Sequence, residues 1–132
     1  MKEIALNVPS VTMELTSIEL SEIGIDGFSV YPHNLNSREG RGMVTYISTK
    51  LNYTEISLEN SFSEYQYFEI MMRHNLKFHL VIIYRSPSSA EVNNEKLWSL
   101  LEDLAKSEPE NLLIMGDFNL PSIEWSLNIC IG

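Results

Sequence analysis

Polar and apolar positions alternate over Tyr65–Met72. Phe68, Ile70 and Met72 fall on one side, Tyr67, Glu69 and Met71 on the other, which is the period of a strand. Lys77–Tyr84 alternates too, with Phe78, Leu80, Ile82 and Tyr84 sharing one face. Its opposite face carries His79, Val81 and Ile83, so the second half is apolar on both sides and reads as a central strand covered twice. Phe28–Tyr31 and Met43–Ser48 are rich in aromatic and β-branched residues and predict two more strands. Leu112–Met115 is continuously apolar and predicts another.

The period changes between the last two of these. Leu97, Leu100, Leu101 and Leu104 recur at helical spacing and predict one amphipathic helix over residues 90–106. Ser88 and Glu91 have the spacing of a capping box, and Pro109 lies beyond the end and stops the helix. Residues 77–116 thus read strand, helix, strand, a crossover connection in a sheet with helical cover. Residues 34–42 are the clearest loop, and Arg85–Ser89 is a second turn. The first 25 residues admit a strand at Val11–Leu15 and a helical turn at Ser17–Ile23.

Composition sharpens this picture without changing it. The 132 residues, 44% hydrophobic and 10% aromatic, suit one packed α/β domain or part of a larger one. No apolar run is long enough to span a bilayer, and the N-terminus lacks the basic-then-apolar order of a signal peptide. No membrane partner is expected, and the sequence sets no oligomeric state. Cys130 stands alone, so it forms no internal disulfide and suits a reducing compartment. The formal charge of −9 argues against gripping nucleic acid by bulk charge. It leaves a nuclease open, since a metal site needs carboxylates and a phosphate groove needs only local cations.

Two short motifs carry candidate chemistry, each at a strand end: Tyr84-Arg85-Ser86-Pro87 and Gly116-Asp117-Phe118-Asn119. The ends of buried strands present polar groups to a cleft on a rigid backbone. In an extended segment Asp117 and Asn119 point the same way while Phe118 faces the core. A carboxylate can orient or deprotonate water, and a carboxamide can bond that water or a phosphoryl oxygen. The plainer reading stands beside it: Gly-Asp-x-Asn is also a common turn in which Asp and Asn cap local backbone groups. Tyr84 taken alone reads as a core residue, and His79 as a packed strand residue.

In combination and order, these motifs resemble the endonuclease/exonuclease/phosphatase family. The likeness is closest to the endonuclease domains of LINE-type (non-LTR) retrotransposons. Gly40–Ile47, the two strand-end motifs, the following Trp125 and the earlier Gly27-Phe28 all carry it, over residues 18 to 127. The resemblance implies a four-layer α/β sandwich of the DNase I-like type, two facing mixed sheets with helical cover. It implies Mg²⁺-dependent hydrolysis of a DNA phosphodiester, with Mn²⁺ as an alternative ion. Tyr84 then corresponds to the tyrosine that bonds the scissile phosphate, Asp117 to the aspartate that activates water, and Asn119 to its companion. Glu3 is the favoured metal ligand, ahead of Glu14, because Lys2-Glu3-Ile4 with the later Pro9 resembles one subgroup's pattern. Arg38, Arg41 and Arg85 are candidates for DNA phosphate contact, or else solvated loop charges. A retroelement endonuclease works on chromosomal DNA, which implies an intracellular, nuclear setting.

The same resemblance leaves parts unmatched. The family's first, asparagine-bearing strand has no counterpart before Glu3, and no Ser-Asp-His run follows Asn119. Residues 1–132 are therefore expected to be one partial domain, truncated at both ends, with weak catalysis or none. The alternative from another class is a small α/β interaction module in which Asp117 and Asn119 only shape a turn.

Overall fold

The computed structural model describes residues 6–7, 23–35 and 41–120. Strands β1 (Leu6–Asn7), β2 (Phe28–Leu35) and β3 (Arg41–Ser48) form a sheet in the order β1-β3-β2, antiparallel throughout. Strands β4 (Asn52–Glu55), β5 (Tyr65–Met71), β6 (Lys77–Tyr84) and β7 (Leu112–Asp117) form a second sheet in that order. This one is mixed: β4, β5 and β6 run antiparallel, while β6 and β7 are parallel and joined over helix α1 (Glu91–Ser107). A single 3₁₀ turn at Arg73–Asn75 joins β5 to β6.

The alternation in β5 and β6 decides the layering. Phe68, Ile70, Leu80, Ile82 and Tyr84 meet Met43 and Ile47 of β3 in the core between the sheets. Tyr67, Val81 and Ile83 project the other way, onto Phe62 and the Leu97, Leu100 and Leu104 stripe of α1. Both faces of β6 are thus buried, as its doubly apolar sequence requires. Burying each of these leucines contributes about 1.5–3 kcal/mol. The described residues make three layers, sheet, sheet and helix, in an α/β arrangement.

A polar seam crosses the space between the sheets. Thr45 donates its hydroxyl to Gln66 Oε1 at 2.5 Å, and Gln66 Nε2 donates to the Tyr31 carbonyl at 3.0 Å. Thr45 and Gln66 are both buried, so these bonds satisfy groups that water does not reach.

Several local expectations change. The loop expected at 34–42 is shorter, because β2 extends to Leu35 and β3 begins at Arg41, each paired to the other. β4 carries no clear sequence signal; it pairs along β5 with mostly exposed side chains, so no alternation marks it. The N-cap is Ala90 and not Ser88, without a side-chain cap bond of its own, and Glu91 accepts from Asn94 Nδ2 at 3.2 Å. Glu3, Glu14, Arg38, Trp125 and Cys130, with the expected strand at Val11–Leu15, lie outside the described residues, as does all of Ser17–Ile23 except Ile23.

Candidate active site

The two strand-end motifs meet because β6 and β7 are parallel neighbours. Their register pairs Ile82 with Met115, Ile83 with Gly116 and Tyr84 with Asp117, so both motifs emerge at the same edge. That edge is the carboxyl end of a parallel strand pair, where α/β sheets bind ligands. Met115 packs with Tyr84 between the sheets, and Phe118 packs on the α1 side. Strand alternation therefore sends Asp117 out on the same face as Tyr84.

Gly116 makes this approach possible. Its φ is +150°, and a Cβ built there would lie 1.8 Å from the Ile83 carbonyl oxygen. Beyond it the chain does not stay extended, as the spacing of Asp117 and Asn119 suggests. Asn119 adopts the left-handed region at φ 44°, and its backbone N–H donates to Asp117 Oδ1 at 3.3 Å. The turn and the candidate site are one structure, so the plain turn reading holds as geometry without settling the chemistry.

Asp117 is exposed and, among the described residues, has no ion-pair partner. Asn119 donates Nδ2 to the Arg85 carbonyl at 2.8 Å; its Oδ1 has no donor among the described residues. Both line an open cavity of about 850 Å³, walled by Pro87 and by Met115 to Leu120. Tyr84 is not on that wall. It is 5% exposed, and its hydroxyl has no hydrogen-bond partner among the described residues.

Arg85 departs from both sequence readings. It is 4% exposed, so it neither projects to a DNA phosphate nor sits as a solvated loop charge. Its Nε donates to Asn94 Oδ1 at 2.7 Å, and Nη1 donates to the carbonyls of Asn119 at 2.6 Å and Phe118 at 3.4 Å. Its backbone N–H donates to the Asp117 carbonyl at 2.8 Å. Nothing is described for the side chain of Arg41, although its backbone pairs in β3.

Sequence reasoning missed two supports. Glu64 accepts from the Ser86 hydroxyl at 2.5 Å, the Ser86 N–H at 3.3 Å and Asn93 Nδ2 at 2.9 Å. It ties the strand-end loop to the first turn of α1, and nothing in its sequence setting marks it. The pair Asn93-Asn94 did carry a signal, since two weak helix formers in one turn suggest side chains used elsewhere.

The histidines sit away from this cavity wall. His33 Nε2 bonds the Ser63 carbonyl at 2.5 Å, and His74 lies in the 3₁₀ turn. His79 is packed as expected, its Nδ1 2.9 Å from the Tyr67 hydroxyl and its Nε2 3.9 Å from Glu69. Burial first, and then the charge of Glu69, push the Tyr67 hydroxyl above its usual pKa. Among the described residues no three His, Cys, Asp or Glu side chains cluster as a metal site. What the cavity offers a hard cation is the Asp117 carboxylate and Asn119 Oδ1, a fitting donor pair for an ion that keeps waters and takes few protein ligands.

Residues 78–130 match the family described as "Endonuclease-reverse transcriptase". The solved endonuclease domain of TRAS1, a telomere-specific non-LTR retrotransposon, shares the fold with a TM-score of 0.52 at 18% identity. The match covers 74% of this chain and 43% of that one, so this chain spans less than half of that structure. No curated protein matches the chain. The segment that holds both strand-end motifs is thus similar to that family, and the described scaffold has the DNase I-like α/β fold of that endonuclease domain.

Proposed function

We propose that this chain carries part of the catalytic centre of a metal-dependent phosphodiester hydrolase, a retrotransposon-type endonuclease acting on DNA. The observation that carries the reading is the register of β6 and β7, which pairs Tyr84 with Asp117 at the strand ends where Asp117 and Asn119 line one cavity. Asp117 would orient and deprotonate the attacking water, since its carboxylate is exposed and in no ion pair among the described residues. Asn119 would hold that water, or a cation beside it, through Oδ1. Tyr84, whose hydroxyl has no partner among the described residues, would bond the scissile phosphate.

The resident ion is read as Mg²⁺, with Mn²⁺ able to replace it, held by Asp117 and Asn119 Oδ1 with Glu3 as the further carboxylate. A divalent cation so held stabilises developing phosphoryl charge and lowers the pKa of bound water. Turnover by this chain alone is weak or nil, because none of its three histidines lines the cavity to assist the phosphate. The setting is nuclear, by the same resemblance. No described helix is long and apolar enough to cross a membrane.

A non-catalytic interaction module is the second reading, favoured by the Asx turn that Asp117 and Asn119 close. Mn²⁺-induced broadening in amide NMR spectra, run beside nicking of supercoiled plasmid in Mg²⁺ or Mn²⁺, separates the two. Broadening centred on residues 83–87 and 116–120, lost in Asp117→Ala together with any nicking, supports the hydrolase. Absence of a localised Mn²⁺ effect, or nicking that survives Asp117→Ala, overturns it.

A further inference from the structure

We infer that Arg85 is a positioning residue that sets which atom of Asn119 the site can use. This rests on the metal-dependent reading above and goes beyond it.

Arg85 and Asn119 are bound reciprocally. Arg85 Nη1 donates to the Asn119 carbonyl at 2.6 Å, and Asn119 Nδ2 donates back to the Arg85 carbonyl at 2.8 Å. The second bond ties one of the two N–H donors of the carboxamide to the Arg85 carbonyl, which fixes the orientation of the amide and leaves Oδ1 without a donor among the described residues. The first holds the Asn119 backbone, whose φ of 44° a non-glycine residue adopts only when its surroundings impose it. The guanidinium is anchored at its far side by Asn94 Oδ1 from α1 at 2.7 Å. One planar fork thus bridges the helix and the turn, a geometry that the single ammonium of lysine does not reproduce.

The charge of Arg85 makes this arrangement costly for mere packing. Among the described residues no carboxylate pairs with it, although it is 4% exposed. A buried, unpaired cation is unfavourable unless its donors are satisfied. Here Nε finds one helix side chain and Nη1 two carbonyls of the candidate site, so the donors that are met face the helix and the turn. Removing the fork frees Asn119 to leave the left-handed region and to turn its nitrogen outward, which repels a cation instead of holding it.

The test uses amide NMR of the full chain with Mn²⁺ as probe. In the parent, the Asn119 side-chain amide exchanges slowly with solvent. Arg85→Lys weakens Mn²⁺ binding at Asp117 about tenfold, the scale of lost outer-shell support. It also speeds Asn119 side-chain exchange, while cooperative unfolding and helical circular dichroism persist. Asn94→Ala, which removes the anchor of Nε together with an exposed bond to Glu91, gives a smaller loss in the same direction and decides the matter if Arg85→Lys does not fold. Folded variants that keep parental Mn²⁺ affinity and slow Asn119 exchange overturn the inference. If the parent itself binds no Mn²⁺ at Asp117, the hydrolase reading fails. The latch then stands or falls on Asn119 exchange alone.

Discussion

Gly116 and Ile83 stand so close that a single methyl group separates fold from clash. A Cβ on Gly116 would lie 1.8 Å from the Ile83 carbonyl oxygen and 2.9 Å from its backbone nitrogen. The obstacle is backbone in the central strand of the sheet, which cannot move aside as a side chain can. Gly116→Ala is expected to cost about 3 kcal/mol or more, a loss of the size reserved for strain and overpacking. Urea unfolding would show it as a lower midpoint. An unchanged midpoint would mean that β7 can shift away from β6 without cost.

Asp117 behaves in the opposite sense. It is exposed and its carboxylate accepts one weak turn bond, so Asp117→Ala should change stability by no more than about 0.5 kcal/mol. The same substitution should remove localised Mn²⁺ binding and reduce any metal-dependent nicking by about 100-fold or more. Function and stability are thus separable at this residue, and unfolding curves recorded beside the nicking assay check both halves.

The seam between the sheets should respond to the loss of one hydroxyl. In Thr45→Val, the shape is kept but Gln66 Oε1 loses its donor inside the core. A buried acceptor left unsatisfied costs about 1–3 kcal/mol. Thr45→Val combined with Gln66→Leu should recover part of that loss, because the Thr45–Gln66 pair is then gone and only the Tyr31 carbonyl loses a donor. A double-mutant cycle in urea measures the coupling, and strictly additive effects would count against the seam.

Tyr31 predicts an alkaline transition. Its hydrogen bond with the Tyr53 hydroxyl, and then its burial, push its pKa up from 10.0 to about 12. The folded state therefore holds this proton more tightly than the unfolded chain. Its contribution to stability is complete below pH 10 and is lost as pH rises toward 12. Tyr67, also raised, acts with the same sign. Tyr53→Phe should make the alkaline decline shallower, read as denaturation midpoints across that pH range. A slope identical to the parent's would show that the hydroxyl pair does not set it.

The helix face offers a control far from the motifs. Leu100 is fully buried against the β5–β6 surface, so Leu100→Ala should cost about 2–5 kcal/mol. Trp98 on the same helix is 52% exposed, and its replacement by glutamine should change the unfolding midpoint little.

Much of the scaffold was legible because its periods are unambiguous. Lys77–Tyr84 appears with the bounds expected of it, and the helix differs by one residue at each end. The faces of β5 and β6 sort into the two predicted covers, since alternation is a local property of the chain. β4 was not legible, because pairing along a neighbouring strand leaves no hydrophobic signature when most side chains stay in solvent. The likeness to a nuclease family was legible too, from the order of two motifs whose segment the family match covers.

By itself, then, the sequence determined where strands and helix run, which faces they bury, and which motifs lie at strand ends. Those follow from periods and side-chain types, which need no knowledge of the partner element. Only the tertiary structure decided that Tyr84 stands beside Asp117, because register belongs to two strands and not to either alone. Only it decided the place of Arg85. A charged residue after a strand reads as solvent-exposed, and it takes the carbonyls of Phe118 and Asn119 and the amide of Asn94, all distant in sequence or helical, to draw that guanidinium inside.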